Sequence, residues 1–501
     1  MLAQLAFTKP DIDYAALAPE LVVLGALILS ILVDTLTKDD SRWAASSLAG
    51  LGLLGALIPV ALLAYDGETI DMLGGAYAVD NFALVFKALF LVTGYVVVLM
   101  STDYIAEGDY WEGEYYQMLL ASILGMMIMA SARDLVSIFV ALELLSIPAY
   151  MLAAWRKRDL RSDEAGIKYY LMGVFASAVL LYGMSLLYGV TGSTLLTDIA
   201  AAAGGESTPL VVLAITFVII GFGFKVSAVP FHTWAPDTYE GAPTPVTAFL
   251  AVASKAAGFV ALLIVVRVAF PTRTDVIEPL LWALSALTMV VGNVIALRQT
   301  NLVRMLAYSG IAQAGYILAP LAVAGVQPGG FDQAIESVST YLWIYMAMNL
   351  GAFAVVIAAA RKTGSAEIDD LAGMVRYAPG LAVAMVLFMF SLAGIPPLAG
   401  WYAKFSIFSA LVEPGTTSGY VLAVLVGVNS VVALFYYARV ARAVAIDAPP
   451  AGDVAPLRVP VSLIAAVGIT LALTLVIGVY PQALTRFTGA ETLLSLPVLG
   501  G

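Results

Sequence analysis

Five ionisable side chains stand inside apolar runs of this sequence: Lys87, Glu143, Lys225, Lys255 and Lys404. A charge in hydrocarbon costs roughly 2.5–3.5 kcal/mol on insertion scales, so each needs a physical reason to be there. Glu143 lies in the run from Ile138 to Pro148 with no charged neighbour in sequence. It needs a partner from another helix, and Lys225 or Lys168 could supply one. Lys255 is flanked by Ala253, Ser254, Ala256, Ala257 and Gly258, small residues that permit close helix approach and the passage of water. Lys404 follows the Pro396-Pro397 pair by about two helical turns. A lysine removed from water holds its proton less tightly, and a carboxylate beside it restores that hold. A carboxylate that moves can therefore switch a buried lysine. A water-bridged chain Glu143–Lys225–Lys255–Lys404 would relay protons across a bundle.

Plainer readings stand beside this one. Glu143 and Lys225 could form a static ion pair. Lys87 stands nearer the end of its apolar run, where snorkelling or a structural role is expected. Lys168 could snorkel or approach Glu143. His232, the only histidine, could bond carbonyls freed at a helix break or act as a proton stop. Tyr308, Ser309 and Gln313 read as helix-packing polar groups rather than relay members.

The elements that hold these residues are membrane helices. The chain of 501 residues is 61% hydrophobic and 12% charged, against roughly 25% charged in an average soluble domain. The fold class is an all-α polytopic membrane protein of about fourteen spans, most recognisable as apolar runs of about 20 residues. With no cysteine, the chain offers no disulfide, thiolate metal site or iron–sulfur ligand set. No cofactor, metal or nucleic acid is expected on it, and lipid is its surrounding partner. The net charge of −11 reads as a solvated face, much of it in loop acids such as Asp103, Glu107, Asp109, Glu112 and Glu114.

Two apolar runs are broken by proline: the seventh span, about 209–240, at Pro230, and the twelfth, about 381–412, at Pro396-Pro397. Paired interruptions five spans apart suggest that spans four to eight and nine to thirteen are two five-helix units, inverted because each unit holds an odd number of spans. The expected organisation is a single membrane domain over 1–501. It comprises a three-helix segment (1–113), a first repeat (114–270), an inverted second repeat (277–444) and a C-terminal helix and tail (459–501). Basic residues gather in the loops after odd-numbered spans, as at Lys38, Arg156, Lys157, Arg158, Arg361 and Arg439. That bias places these loops in the cytoplasm and both termini on the non-cytoplasmic side of the cell membrane.

The run from Pro230 to Thr247, with Tyr239-Glu240-Gly241-Ala242-Pro243, resembles the proton-translocating antiporter-like subunits of respiratory complex I. The stretches Ala248–Lys255 and Ile167–Ala178 look like subunit N in particular, the bacterial counterpart of mitochondrial subunit 2. The likeness covers nearly the whole chain and is strongest over 140–260 and 385–410. It implies that Glu143, Lys225, Lys255 and Lys404 form a central hydrophilic axis. Glu143 and Lys225 would be the modulating pair and Lys404 the terminal exchange site. It also implies sister antiporter-like subunits and small membrane subunits as partners. The complex would use quinone, flavin and iron–sulfur clusters held elsewhere. Two rivals keep the same residues in view: an Mrp-type cation/proton antiporter subunit, and an assembly scaffold that does not pump. A scaffold should have lost an axial ionisable residue, and this chain retains all of them.

Overall fold

The computed structural model describes residues 11–36, 42–108, 112–204, 208–327, 329–450 and 454–493. Lys38, Asp109 and the side chain of Glu112 lie outside this description. Among the described residues, eleven helices are long and apolar enough to cross a membrane. Two shorter apolar helices, Pro209–Lys225 and Pro379–Ala393, fall where the broken spans are expected. Glu112–Ser131 fills the fourth span.

The first six spans are α1 (Ala18–Leu36), α2 (Arg42–Asp66), α3 (Asn81–Ala106), α4 (Glu112–Ser131), α5 (Leu135–Ala153) and α6 (Leu160–Thr191). A short helix, α7 (Leu196–Ala203), precedes the first broken span, which is α8 (Pro209–Lys225) and α9 (Trp234–Gly241). The eighth span runs from α10 (Thr244–Phe249) to α11 (Lys255–Ile264) through a π turn at Leu250–Ser254. Then come α12 (Thr274–Ala296), α13 (Leu302–Leu318), α14 (Gly330–Thr363) and the short α15 (Met374–Tyr377). The second broken span is α16 (Pro379–Ala393) with α17 (Ala399–Val412), and α18 (Thr417–Ala445), α19 (Val461–Val479), α20 (Gln482–Thr488) and α21 (Ala490–Leu493) complete the order. Polar caps start many of these helices. Asp80, Asp134, Thr208, Asn301 and Thr416 each accept from a backbone N–H in the first turn, satisfying a donor that the helix itself leaves free.

Burial orders the bundle. The Thr244–Ala269 stretch is wholly buried and α14 nearly so, whereas α1, α2 and α6 expose most of their apolar surface. Such a surface faces lipid or neighbouring subunits.

The chain is not helical throughout. Ile70–Met72 (β1) and Tyr77–Val79 (β2) form an antiparallel hairpin between α2 and α3. Gly74 and Gly75 take positive φ at its tip, 67° and 88°, which glycine adopts without steric cost. The hairpin pairs onward to the turn after α4, where Arg133 N donates to Ala76 O at 2.8 Å.

The same local structure occurs in two places. Thr191-Gly192-Ser193 ends α6, and Thr363-Gly364-Ser365 ends α14. Both glycines are left-handed, at φ 71° and 68°, and in both the threonine hydroxyl donates back into its helix. The chain then pairs with the turn before a capped helix. Leu135 N donates to Thr194 O and Leu196 N to Arg133 O; Leu302 N donates to Ala366 O and Ile368 N to Thr300 O. Gly125 of α4 and Gly292 of α12 also match. A Cβ on either would sit 2.6 Å from a backbone nitrogen of the next helix, Leu145 and Ala312 respectively.

Candidate functional site

Lys225 is the last residue of α8, where the helix stops short of Pro230. It is 4% exposed. Its Nζ donates to Ser146 Oγ at 2.8 Å and lies 3.4 Å from the Tyr169 hydroxyl. Tyr169 stacks on Trp234 at a centroid distance of 4.5 Å. The Trp234 indole in turn donates to the Phe224 carbonyl at 3.2 Å, covering one of the acceptors the broken helix frees.

Glu143 lies one turn before Ser146 on α5 and is half-buried. Its Oε1 is shielded from solvent and has no hydrogen-bond partner. Ser146, one turn on, takes the Lys225 ammonium, yet no ion pair joins Glu143 to Lys225. The static pair weighed above is therefore not what this conformation contains.

Lys255 opens α11 directly after the π turn and is 1% exposed. Its Nζ donates to the Gly310 carbonyl of α13 at 2.7 Å. One turn further on, Gly258 lets Lys225 lie against its backbone: a Cβ there would stand 2.9 Å from Lys225 Cγ. The two lysines thus share one helix contact. Lys404, on α17, is 9% exposed. Its Nζ donates to Ala393 O at the end of α16, at 2.8 Å, and sits 5.2 Å from the centroid of the Tyr316 ring. Gly394, at φ 91°, leaves the room: a Cβ there would meet Lys404 Cδ at 2.8 Å.

The structure brings these four together as a series: α5, α8, α11, then across α13 to α16 and α17. Lys225, Lys255 and Lys404 form no ion pair among the described residues. Each ammonium is held by neutral oxygens alone.

The remaining candidates are placed elsewhere. Lys168 does not approach Glu143. It pairs with Asp237 at 2.7 Å and Glu164 at 2.6 Å on a partly exposed edge, where Arg304 also binds Asp237 (2.9 Å) and Glu240 (2.8 Å). That network ties α9 to α6 and α13. His232 sits in the first break, half-buried. The Pro230 carbonyl lies beside it, but its Nδ1 completes no well-aligned bond. Lys87 does not snorkel. It is fully buried, with its Nζ 2.8 Å from Glu20 Oε1, and the Tyr77 hydroxyl donates to the same oxygen at 2.9 Å. Glu20 was the missed partner. It lies near the start of α1, and sequence distance gives no sign that α1 covers α3 at that point.

A bundle of broken membrane helices with a row of buried, unpaired lysines defines the antiporter-like class of membrane subunit. Residues 132–432 match the family described as NADH:quinone oxidoreductase/Mrp antiporter, TM. The chain is 42% identical over 490 residues to "NADH-quinone oxidoreductase subunit N" of Desulfitobacterium hafniense, covering 94% of this chain and 97% of that protein. It matches a chain of respiratory complex I from Thermus thermophilus with 34% identity and a TM-score of 0.78, over 94% of this chain and 99% of that one. A chain of the Mrp complex from a Dietzia species shares the fold, with a TM-score of 0.85 at 20% identity, over 96% and 97% of the two chains. The chain belongs to the subunit N family of NADH–quinone oxidoreductases.

Proposed function

We propose that this chain moves protons through Glu143, Lys225, Lys255 and Lys404, coupled to quinone reduction elsewhere in an assembled complex. One observation carries the proposal: three buried lysines in series, each held only by neutral oxygens. An ion pair would fix a lysine in its charged state, and removing the counter-charge would cost several kcal/mol. Carbonyl and hydroxyl partners stabilise the ammonium by roughly 1.5–3 kcal/mol each, so a modest change of field can shift the proton. Glu143, close to Lys225 and free of any bond at Oε1, is placed to supply that change.

The repeated turns and glycine contacts support two five-helix units, over 114–270 and 277–444. An odd number of spans would set them in opposite senses, one facing each side of the membrane. The basic loops support termini on the non-cytoplasmic side. Partners are the other membrane-arm subunits, and the redox groups sit in other chains.

The test is substitution in the assembled complex. Glu143→Ala, Lys225→Ala and Lys404→Ala should each lower proton pumping and coupled quinone reduction sharply while the complex still assembles. An assembled Lys225→Ala variant that pumps at the parental rate refutes the relay.

A further inference from the structure

We propose that the stretch between Lys255 and Lys404 is bridged by hydroxyls of the protein itself, those of Ser309 and Tyr437, with Gln313 as the residue that positions them. The proposal rests on the reading of Lys255 and Lys404 as proton carriers.

Ser309 directly precedes Gly310, whose carbonyl holds Lys255. Its hydroxyl lies 2.5 Å from the Tyr437 hydroxyl of α18. Gln313, one turn further along α13, reaches the far side of the same pair. Its Nε2 donates to the Tyr437 oxygen at 3.2 Å and to the Leu392 carbonyl at 3.3 Å. Leu392 is followed by Ala393, whose carbonyl holds Lys404. All of these side chains are essentially inaccessible to solvent. One protein network therefore begins beside the acceptor of one lysine and ends beside the acceptor of the other.

The donors and acceptors fix its sense. A carbonyl can only accept, so the Gln313 atom facing Leu392 O must be the nitrogen. Tyr341 donates to the opposite end of the amide, Oε1, which locks the same orientation. The amide thus spends one N–H on the Tyr437 oxygen. That oxygen has two lone pairs, one for Gln313 and one for Ser309. Tyr437 keeps its own proton to donate, with the Tyr436 hydroxyl as its other neighbour, and the bridge sends that proton on to Lys404. One proton leaves the Lys255 ammonium for Ser309, the Ser309 proton passes to Tyr437, and the Tyr437 proton passes to the Lys404 amine. Both hydroxyls regain a proton with the O–H bond reversed, and each rotates back before the next transfer. Lys255 becomes neutral and Lys404 charged. Gln313 neither gains nor loses a proton.

The experiment compares Tyr437→Phe, Ser309→Ala, Ser309→Thr and Lys255→Ala in the whole complex, reconstituted into vesicles. The readouts are proton uptake per quinone reduced, turnover in H2O and D2O, and assembly. A positioned proton-transfer group typically contributes 10²–10⁴-fold, so Tyr437→Phe and Ser309→Ala should pump at least about tenfold more slowly. Their solvent isotope effect should be larger, with assembly intact. Ser309→Thr keeps the hydroxyl and should keep most of the activity. Parental pumping by Tyr437→Phe overturns the bridge while a defective Lys255→Ala leaves the axis standing. Equal losses in Ser309→Ala and Ser309→Thr overturn it too, because they point to packing. A Lys255→Ala variant that pumps normally overturns the axis, and the bridge with it. If Tyr437→Phe fails to assemble, the serine pair decides.

Discussion

Replacing Lys87 by methionine should destabilise the protein more than any axial substitution while leaving turnover per assembled complex close to the parent. Lys87 and Glu20 are buried together, with side-chain exposures of 0% and 8% and a separation of 2.8 Å. The lysine nitrogen is off the alignment of a good hydrogen bond, so proximity of charge rather than bond geometry holds the pair. Removing the lysine leaves Glu20 with one neutral donor, the Tyr77 hydroxyl, and Oε2 without any. Breaking one side of a buried ion pair costs about 3–5 kcal/mol. At about 1.4 kcal/mol per decade, that is a loss of roughly two to three and a half decades in the folding equilibrium. Removing both charges, Lys87→Met with Glu20→Leu, should recover most of the loss, because apolar replacement of a buried pair is often neutral. The Tyr77 hydroxyl then loses its acceptor, which leaves a deficit of about 1–3 kcal/mol. Adding Tyr77→Phe should close it. The assay is the temperature at which half of the subunit leaves the purified complex, measured beside turnover of the fraction still assembled. The expected order of midpoints is single below double below triple. A single variant as stable as the double refutes the argument, since it means that no uncompensated charge was left behind.

Two further outcomes follow from glycines at close approach. Gly310→Ala places a Cβ 2.9 Å from the Tyr345 hydroxyl and 3.1 Å from Lys255 Nζ. Both are the free ends of side chains that can move aside, and alanine favours the helix by about 1 kcal/mol. Pumping should therefore fall while the thermal midpoint holds or rises, and a variant that pumps normally shows that Lys255 does not depend on this carbonyl. Gly125→Ala and Gly292→Ala meet backbone instead, at 2.6 Å. Each should lower stability by about 1–3 kcal/mol through overpacking, visible as reduced yield of assembled complex, and an unchanged yield shows that these helices can part.

The spans and the two breaks are legible in the sequence because each rests on local physics: apolar length, and a proline without an N–H. What is not legible depends on partners distant in the chain. Lys87 stands near the end of its apolar run, as a snorkelling lysine would. Only the cover of α1 and the hairpin makes it a buried ion pair. Lys168 is one turn into α6, close in sequence terms to Glu143, but that end of the bundle is where α9 meets α13 and supplies Asp237. The repeated Thr-Gly-Ser turns are present in the sequence, but three residues carry no information about what they pair with. Ser309 and Gln313 fit a packing reading equally well until Tyr437, Tyr341 and the open end of α16 are seen around them. The hairpin is too short for its alternation to stand out between α2 and α3.

The contrast between Lys87 and the axial lysines is one of partners rather than of burial. All four are removed from solvent. Lys87 stands within an unbroken helix, α3, whose carbonyls are committed to its own ladder, and it is balanced by a carboxylate. Each axial lysine sits at an interruption: Lys225 ends the helix before a break, Lys255 follows a π turn, and Lys404 takes the last carbonyl of α16. Lys404 takes a carbonyl freed at the break, Lys225 the hydroxyls of Ser146 and Tyr169, and Lys255 the Gly310 carbonyl within α13; each of these oxygens holds an ammonium without neutralising it. A charge held by dipoles keeps both protonation states within reach of a nearby field, whereas one held by a counter-charge is locked. Restoring regular helix at the second break should therefore damage proton movement more than moving a lysine by one turn along an intact helix, because it commits the carbonyl that holds Lys404.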